Sequence, residues 1–68
     1  MKSVSGKDFC KILENHGWTL KRIKSSHHIY GKPGHQAIIS VPVHKNKPLK
    51  KGLLNDLMKT AGLTEQDL

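Results

Sequence analysis

The sequence predicts an α+β fold: a two-layer sandwich in the order α-β-β-β-α, with a three-stranded antiparallel sheet and both helices on one face. Three observations carry this reading. Apolar residues recur at helical spacing towards both ends of the chain, and three β-favouring runs lie between them. The runs are joined by connections so short that only antiparallel pairing fits. And 68 residues are too few to cover both faces of a sheet, since a domain of this size buries only about 60% of its unfolded surface.

The elements follow in order. Ser5 is a helix N-cap, and Asp8 three residues on makes a capping box with a shorter acid. Val4 and Phe9 flank the cap as a hydrophobic staple. Phe9, Ile12, Leu13 and His16 repeat at helical spacing, and Gly17 is a left-handed stop, so the first helix is expected over about Gly6 to His16. Trp18 to Ile23 is a strand, with Trp18 and Leu20 on one side. Lys24-Ser25-Ser26 connects it to a second strand, His27 to Tyr30. Gly31-Lys32-Pro33-Gly34 has the composition of a turn. Gln36 to Val41, carrying Ala37, Ile38, Ile39 and Val41, is the third strand. Pro42 to Pro48 is a basic loop containing His44, Lys45 and Lys47. Leu49, Leu53, Leu54, Leu57, Met58 and Ala61 mark an amphipathic helix that Gly62 closes, and Thr64-Glu65-Gln66-Asp67 can cap a last turn. This order matches the architecture of double-stranded-RNA-binding domains, which by itself says little about function.

Composition bounds the partners. Twelve Lys and Arg against five Asp and Glu give a net charge of +7, and the isoelectric point is about 9.9. Such a balance favours a polyanion or an acidic protein. The length excludes a dinucleotide-binding α/β domain or a barrel enzyme, and one domain over residues 1–68 is expected. No apolar run approaches the roughly 18 residues of a membrane span. The opening Met1-Lys2-Ser3-Val4-Ser5-Gly6-Lys7 lacks the apolar stretch of a signal peptide. The single Cys10 allows neither an internal disulfide nor a multi-cysteine zinc site. A cytoplasmic location without a membrane partner is the expectation.

Two constellations have chemical potential. The first is Lys24-Ser25-Ser26-His27-His28-Ile29-Tyr30. Adjacent histidines on a strand point to opposite faces, so they cannot both serve one site from regular geometry. Histidine is the side chain best suited to proton transfer near neutrality, and a neutral imidazole is the form a general base needs. The plain alternative is a surface pair beside a basic patch. Lys21, Arg22 and Lys24 form a cationic cluster next to it. The second constellation is Lys45, Lys47, Lys50 and Lys51, followed by Gly52. Cations at a helix N-terminus oppose its dipole, so helix stability does not explain them; a bound phosphate would, and so would a solvated charge run that keeps the protein soluble. The five histidines, His16, His27, His28, His35 and His44, match no zinc spacing. Cys10, beside Phe9, reads as a packed thiol rather than a nucleophile. Trp18 and Tyr30 offer ring faces for stacking on bases, with Trp18 favoured as core.

Across nearly the whole chain the sequence resembles the HicA toxin family, small bacterial mRNA interferases. The likeness is carried by the opening helix and Asn15-His16-Gly17-Trp18, by Lys24-Ser25-Ser26-His27-His28-Ile29-Tyr30, and by Ile38-Ile39-Ser40-Val41-Pro42. It continues in Leu49-Lys50-Lys51-Gly52-Leu53-Leu54 and Ala61-Gly62-Leu63. The family motif is Gly, then Ser or Gly, then the catalytic His, often followed by His or Arg. On that pattern His27 is the catalytic position and His28 its neighbour, while Ser25 stands where the family has Gly. If the turn needs a positive φ there, Ser25 is strained. The resemblance implies a single HicA-like domain with a double-stranded-RNA-binding-like fold. It also implies cleavage of mRNA, neutralisation by a HicB-type antitoxin that covers the active site, and no metal or organic cofactor.

For such a cleaver the residues suggest His27 for proton transfer. Lys24 and the Lys50/Lys51 helix end would hold the phosphate. Lys21, Arg22, Ser26, His28, Lys45 and Lys47 complete the RNA-binding set. The general acid stays open between water, His28 and a recycled His27, as does the choice between attack by the RNA's own 2′-hydroxyl and by water. Two rival readings share the fold: a non-catalytic RNA-binding module, and an interaction domain whose basic face docks an acidic protein.

Overall fold

The computed structural model describes residues 3–45 and 47–68; Met1, Lys2 and Asn46, which enter the readings of the chain start and the basic loop, lie outside them. The elements are α1 (Gly6–Asn15), β1 (Thr19–Lys24), β2 (His27–Lys32), β3 (His35–Pro42) and α2 (Lys51–Ala61), with a final 3-10 turn over Glu65–Asp67. The strands form one antiparallel sheet in the order β1-β2-β3. This is the α+β order read from the sequence.

Local chemistry accounts for the ends of the helices. The Ser5 hydroxyl accepts from the Asp8 amide at 3.1 Å, opening α1. Val4 and Phe9 are both buried, as a staple requires. At the other end Gly17 takes φ +92°. The Trp18 amide then reaches the Leu13 carbonyl at 3.0 Å and the Gly17 amide the Glu14 carbonyl at 3.2 Å, a Schellman closure. Helix α2 ends the same way: Gly62 has φ +73°, and Leu63 N–H bonds the Met58 carbonyl at 2.9 Å. Thr64 and Asp67 cap the last turn reciprocally. The Thr64 amide, with help from its hydroxyl and from His16 3.7 Å away, holds the Asp67 carboxyl below the usual carboxylate range.

The strand limits differ from the sequence reading for physical reasons. Trp18 belongs to the helix stop, so β1 begins at Thr19. Pro33 and Gly34 alone make the second hairpin turn, so Gly31 and Lys32 stay in β2 and His35 starts β3. Leu49 precedes α2 and packs half-buried against the core.

One face of the sheet carries the core. Register places Leu20, Tyr30 and Ile39 in one cross-strand row and Ile23, His28 and Val41 in another. Tyr30, Ile39 and Val41 from these rows are fully buried against Phe9 and Leu13 of α1 and Leu54, Leu57 and Met58 of α2. Tyr30 is therefore a core residue and offers no ring face to a base. Its hydroxyl donates to Glu14 Oε2 at 2.6 Å, and burial with that bond pushes its phenol up. Cys10 is buried beside it, and desolvation pushes its thiol up too, as a packed and unreactive thiol should be. The alternate rows face away from the helices: Arg22, Ile29 and Ser40, then Lys24, His27 and Pro42. Among the described residues no helix is long and apolar enough to cross a membrane.

The Ser25-Ser26 turn joins β1 to β2 with two residues, and Ser25 has φ +56°. Positive φ at the first of two loop residues alone is the type II′ pattern, which favours glycine there. A left-handed L-residue is strained by roughly 1–2 kcal/mol, against which a glycine adds about 0.4–1 kcal/mol of unfolded-state freedom. Ser25→Gly is thus expected to stabilise the fold by up to ~1.5 kcal/mol, seen as a higher urea midpoint at unchanged slope. A lower midpoint would show that the serine is accommodated without strain.

Candidate functional site

Four segments meet at one end of the sheet. The row Lys24–His27–Pro42 closes it, with His27 the first residue of the central strand. The His27 side chain is exposed on the face away from the helices. Its cross-strand neighbours sit about 4.5–5.5 Å away between Cα atoms, as in any antiparallel pair. Lys24 on one flank therefore brings an ammonium group within reach of whatever the imidazole touches.

The hairpin turn before His27 is anchored to the loop after β3. The Ser26 carbonyl accepts from the Val43 amide at 2.8 Å. That loop turns tightly, with Lys47 N–H on the His44 carbonyl at 3.0 Å and Lys45 at φ +53°. Its far end is pinned to the N-terminal segment. Leu49 N–H bonds the Val4 carbonyl at 2.7 Å, and Ser5 pairs with Pro48. The chain then enters α2 through Lys50, whose side chain caps nothing, and no acid stands in the first turn. Among the described residues no side chain accepts from the first-turn amides of α2, and Lys50 and Lys51 are exposed around them. A side chain added at Gly52 would meet nothing, so this helix end is open to an approaching group.

The structure groups most of the sequence-predicted residues and separates one. Lys24 and His27 share the end row, and Ser26 belongs to the turn beside it. A bulge after Leu20 sets both Lys21 and Arg22 opposite Ile29, so their side chains go to the same face as His27. The stem of Lys21 lies along Gly31, where an added Cβ would come within 3.0 Å of its Cε. Lys45, Lys47, Lys50 and Lys51 come from the loop and helix start joined to that end row through Pro42. His28 does not join them. It shares its row with the buried Val41 and lies half-buried on the helix side.

Cations predominate at this end, where Asp8 in the first turn of α1 shares a hollow with Pro48. No Asp or Glu occurs between Glu14 and Asp56, a stretch that holds Lys21, Arg22, Lys24, Lys32, Lys45, Lys47, Lys50 and Lys51. Clustered cations without intervening acids raise the local concentration of anions. Among the described residues no three His, Cys, Asp or Glu side chains converge to hold a metal ion. His35, one of the five histidines, instead packs its ring against Trp18 at the far end of the sheet, 5.1 Å between centroids.

Sequence reasoning passed over His44, Pro42, Leu49 and Leu53. With Lys47, Pro48 and Lys50 they line a groove of about 370 Å³ between the end of β3 and the start of α2. In the sequence Leu53 reads as part of the apolar stripe of α2, and only the structure separates it: Leu53 is 38% exposed and Leu54 1%.

Compared with known protein families, residues 6–63 match the family described as the HicA toxin of bacterial toxin–antitoxin systems. No curated protein matches the chain.

Proposed function

The chain belongs to the HicA toxin family of bacterial toxin–antitoxin systems, and from that premise we propose that it is an endoribonuclease that cuts single-stranded mRNA with His27 as the proton-transfer group. The observation that carries the reading is the placement of an exposed imidazole between Lys24 and Pro42, at the end of the sheet where the cationic loop and the open start of α2 meet.

RNA brings its own nucleophile. His27 takes the proton of a 2′-hydroxyl, whose oxygen attacks the adjacent phosphorus as the bond to the 5′ oxygen breaks. Negative charge grows on the phosphoryl oxygens, and Lys24 with the Lys50/Lys51 helix end stabilises it. Lys21, Arg22, Lys45 and Lys47 hold neighbouring phosphates, and Ser26 and His28 shape the turn that presents the imidazole. Since His28 lies on the opposite face, the leaving oxygen takes its proton from water or from His27 itself. The products are a 2′,3′-cyclic phosphate and a 5′-hydroxyl. A single strand suits this chemistry because in-line attack requires the backbone to bend. The toxin works in the cytoplasm and needs neither metal nor organic cofactor. A HicB-type antitoxin neutralises it by laying an acidic surface over the same end of the sheet. A small acidic protein encoded in the adjacent reading frame is the cheapest sign of that partner.

The test is incubation of the purified protein with a defined RNA in the presence of chelator, beside the all-2′-deoxy strand of the same sequence. Cleavage to cyclic-phosphate ends, with the deoxy strand intact, is the expected result. Efficient cutting of the deoxy strand would overturn the internal route. RNA binding without any cutting would make the protein a non-catalytic RNA-binding module. Binding should also weaken steeply with salt, because each cation–phosphate contact releases a counterion.

A further inference from the structure

The groove between the end of β3 and the start of α2 has an apolar part that the phosphate-binding role does not use. Pro42, Pro48, Leu49 and Leu53 give it an apolar floor, and His44, Lys47 and Lys50 give it a cationic rim. No acid lines it. Its volume, about 370 Å³, lies at the small end of the roughly 300–1,000 Å³ typical of small-molecule sites. Leu53 is 38% exposed although its neighbour Leu54 is 1% exposed, so core packing does not explain it. One wall, Pro42, is the cross-strand partner of His27.

We infer that this groove is a base subsite: it receives one unpaired nucleobase of the RNA strand held at His27, with that nucleotide's phosphate on Lys47 or Lys50. The inference rests on the nuclease reading for its substrate and adds the residues that grip it. A flat, weakly hydrated ring gains by lying on prolines and leucine. The phosphate joined to it needs cations a few ångströms off, and an imidazole such as His44 can meet the ring by stacking or by a hydrogen bond. An acidic peptide would use the rim but leave the apolar floor without purpose. A duplex would not fit a groove of this size. Continuity with His27 through Pro42 puts the gripped base beside the scissile linkage rather than at a remote anchor. Leu53 then contributes to substrate choice without touching the reacting atoms.

Binding is read on protein that need not cut. Amide chemical shifts of the His27→Ala protein would be followed while nucleoside 5′-monophosphates, and separately ribose 5-phosphate, are added. The monophosphates should move His44, Leu49 and Leu53, and ribose 5-phosphate should bind roughly tenfold more weakly, within the range one base contact yields. Leu53→Ser should erase that difference, and Leu53→Met should retain it. In the wild-type background Leu53→Ser should raise KM for RNA roughly five- to tenfold while kcat stays within about twofold, the pattern of lost uniform binding. Equal binding of the two probes overturns the subsite in favour of a bare phosphate site. A glutamate-rich peptide that moves these residues while nucleotides do not overturns it in favour of protein docking. Absence of cutting by the wild type sinks the nuclease reading alone, because the shifts judge the groove separately.

Discussion

Replacing His27 by alanine is expected to lower the rate of RNA cleavage roughly 10²- to 10⁴-fold, the range that one positioned acid–base group contributes, and to end growth arrest in cells that carry the gene. Stability should hardly change. The side chain is exposed on the sheet face away from the helices, and no described hydrogen bond depends on it. Its strand position is kept by backbone pairing with Lys24 and Pro42, which alanine preserves. The measurement is single-turnover cleavage of a defined RNA by nuclease-free protein, with binding followed in parallel by anisotropy. Retained binding with lost cleavage assigns His27 to the chemistry. Loss of both together would make it a recognition residue. Unchanged cleavage by a folded variant would remove it from the mechanism. His28→Ala is the internal contrast: from the helix-covered side it should affect stability more than rate.

That contrast marks the border of what the sequence can tell. Period-two alternation requires His27 and His28 to diverge, but it does not say which one faces the core. That is decided by residues far away in the chain, where Val41 pairs with His28 and is buried beneath the helices. Tyr30 shows the same limit. Its type suits stacking on a base, yet its hydroxyl is claimed by Glu14, 16 residues earlier, and its ring fills the centre of the core. By contrast, the helix ends and stripes encoded within a few residues were legible, although the strand limits at Trp18 and at Gly31-Lys32 and the bulge after Leu20 were not. Ser5 opens one helix, Gly17 and Gly62 close two, and the apolar spacing of each helix picks out its buried stripe. The strain at Ser25 was readable once the family's glycine was set against it. The groove was not, since Pro42, His44, Lys47 and Leu53 converge only when the loop is pinned by Leu49 on Val4 and by Pro48 on Ser5.

Gly6→Ala is expected to have the largest effect on stability, with a sign opposite to that given by helix propensity. Gly6 is the first residue of α1 and is fully enclosed. Alanine within a helix is favoured over glycine by about 0.8–1 kcal/mol. A Cβ at this position, however, would overlap the Pro42 carbonyl oxygen and lie 3.1 Å from its carbon and 3.2 Å from Val43 Cα. Those atoms are backbone, so no rotamer change relieves the overlap. Either α1 must lift from the sheet or the end of β3 must shift, and such overpacking costs typically 1–3 kcal/mol. The steric term exceeds the propensity gain, and a net loss of about 1–2 kcal/mol is expected in urea unfolding. Gly52→Ala is the matched control: in α2 its Cβ meets nothing, so propensity acts alone and the variant should be as stable as the wild type or more so. The same contact links fold to chemistry. Pro42 is the strand partner of His27 and a wall of the groove, so a displaced Pro42 moves both. Gly6→Ala should therefore slow RNA cleavage several-fold even where the protein is still folded, since small misplacements of a catalytic group carry large rate penalties. A Gly6→Ala protein at least as stable as wild type would show that the close approach of α1 to the end of β3 does not exist in solution, and with it the account of how the site is held.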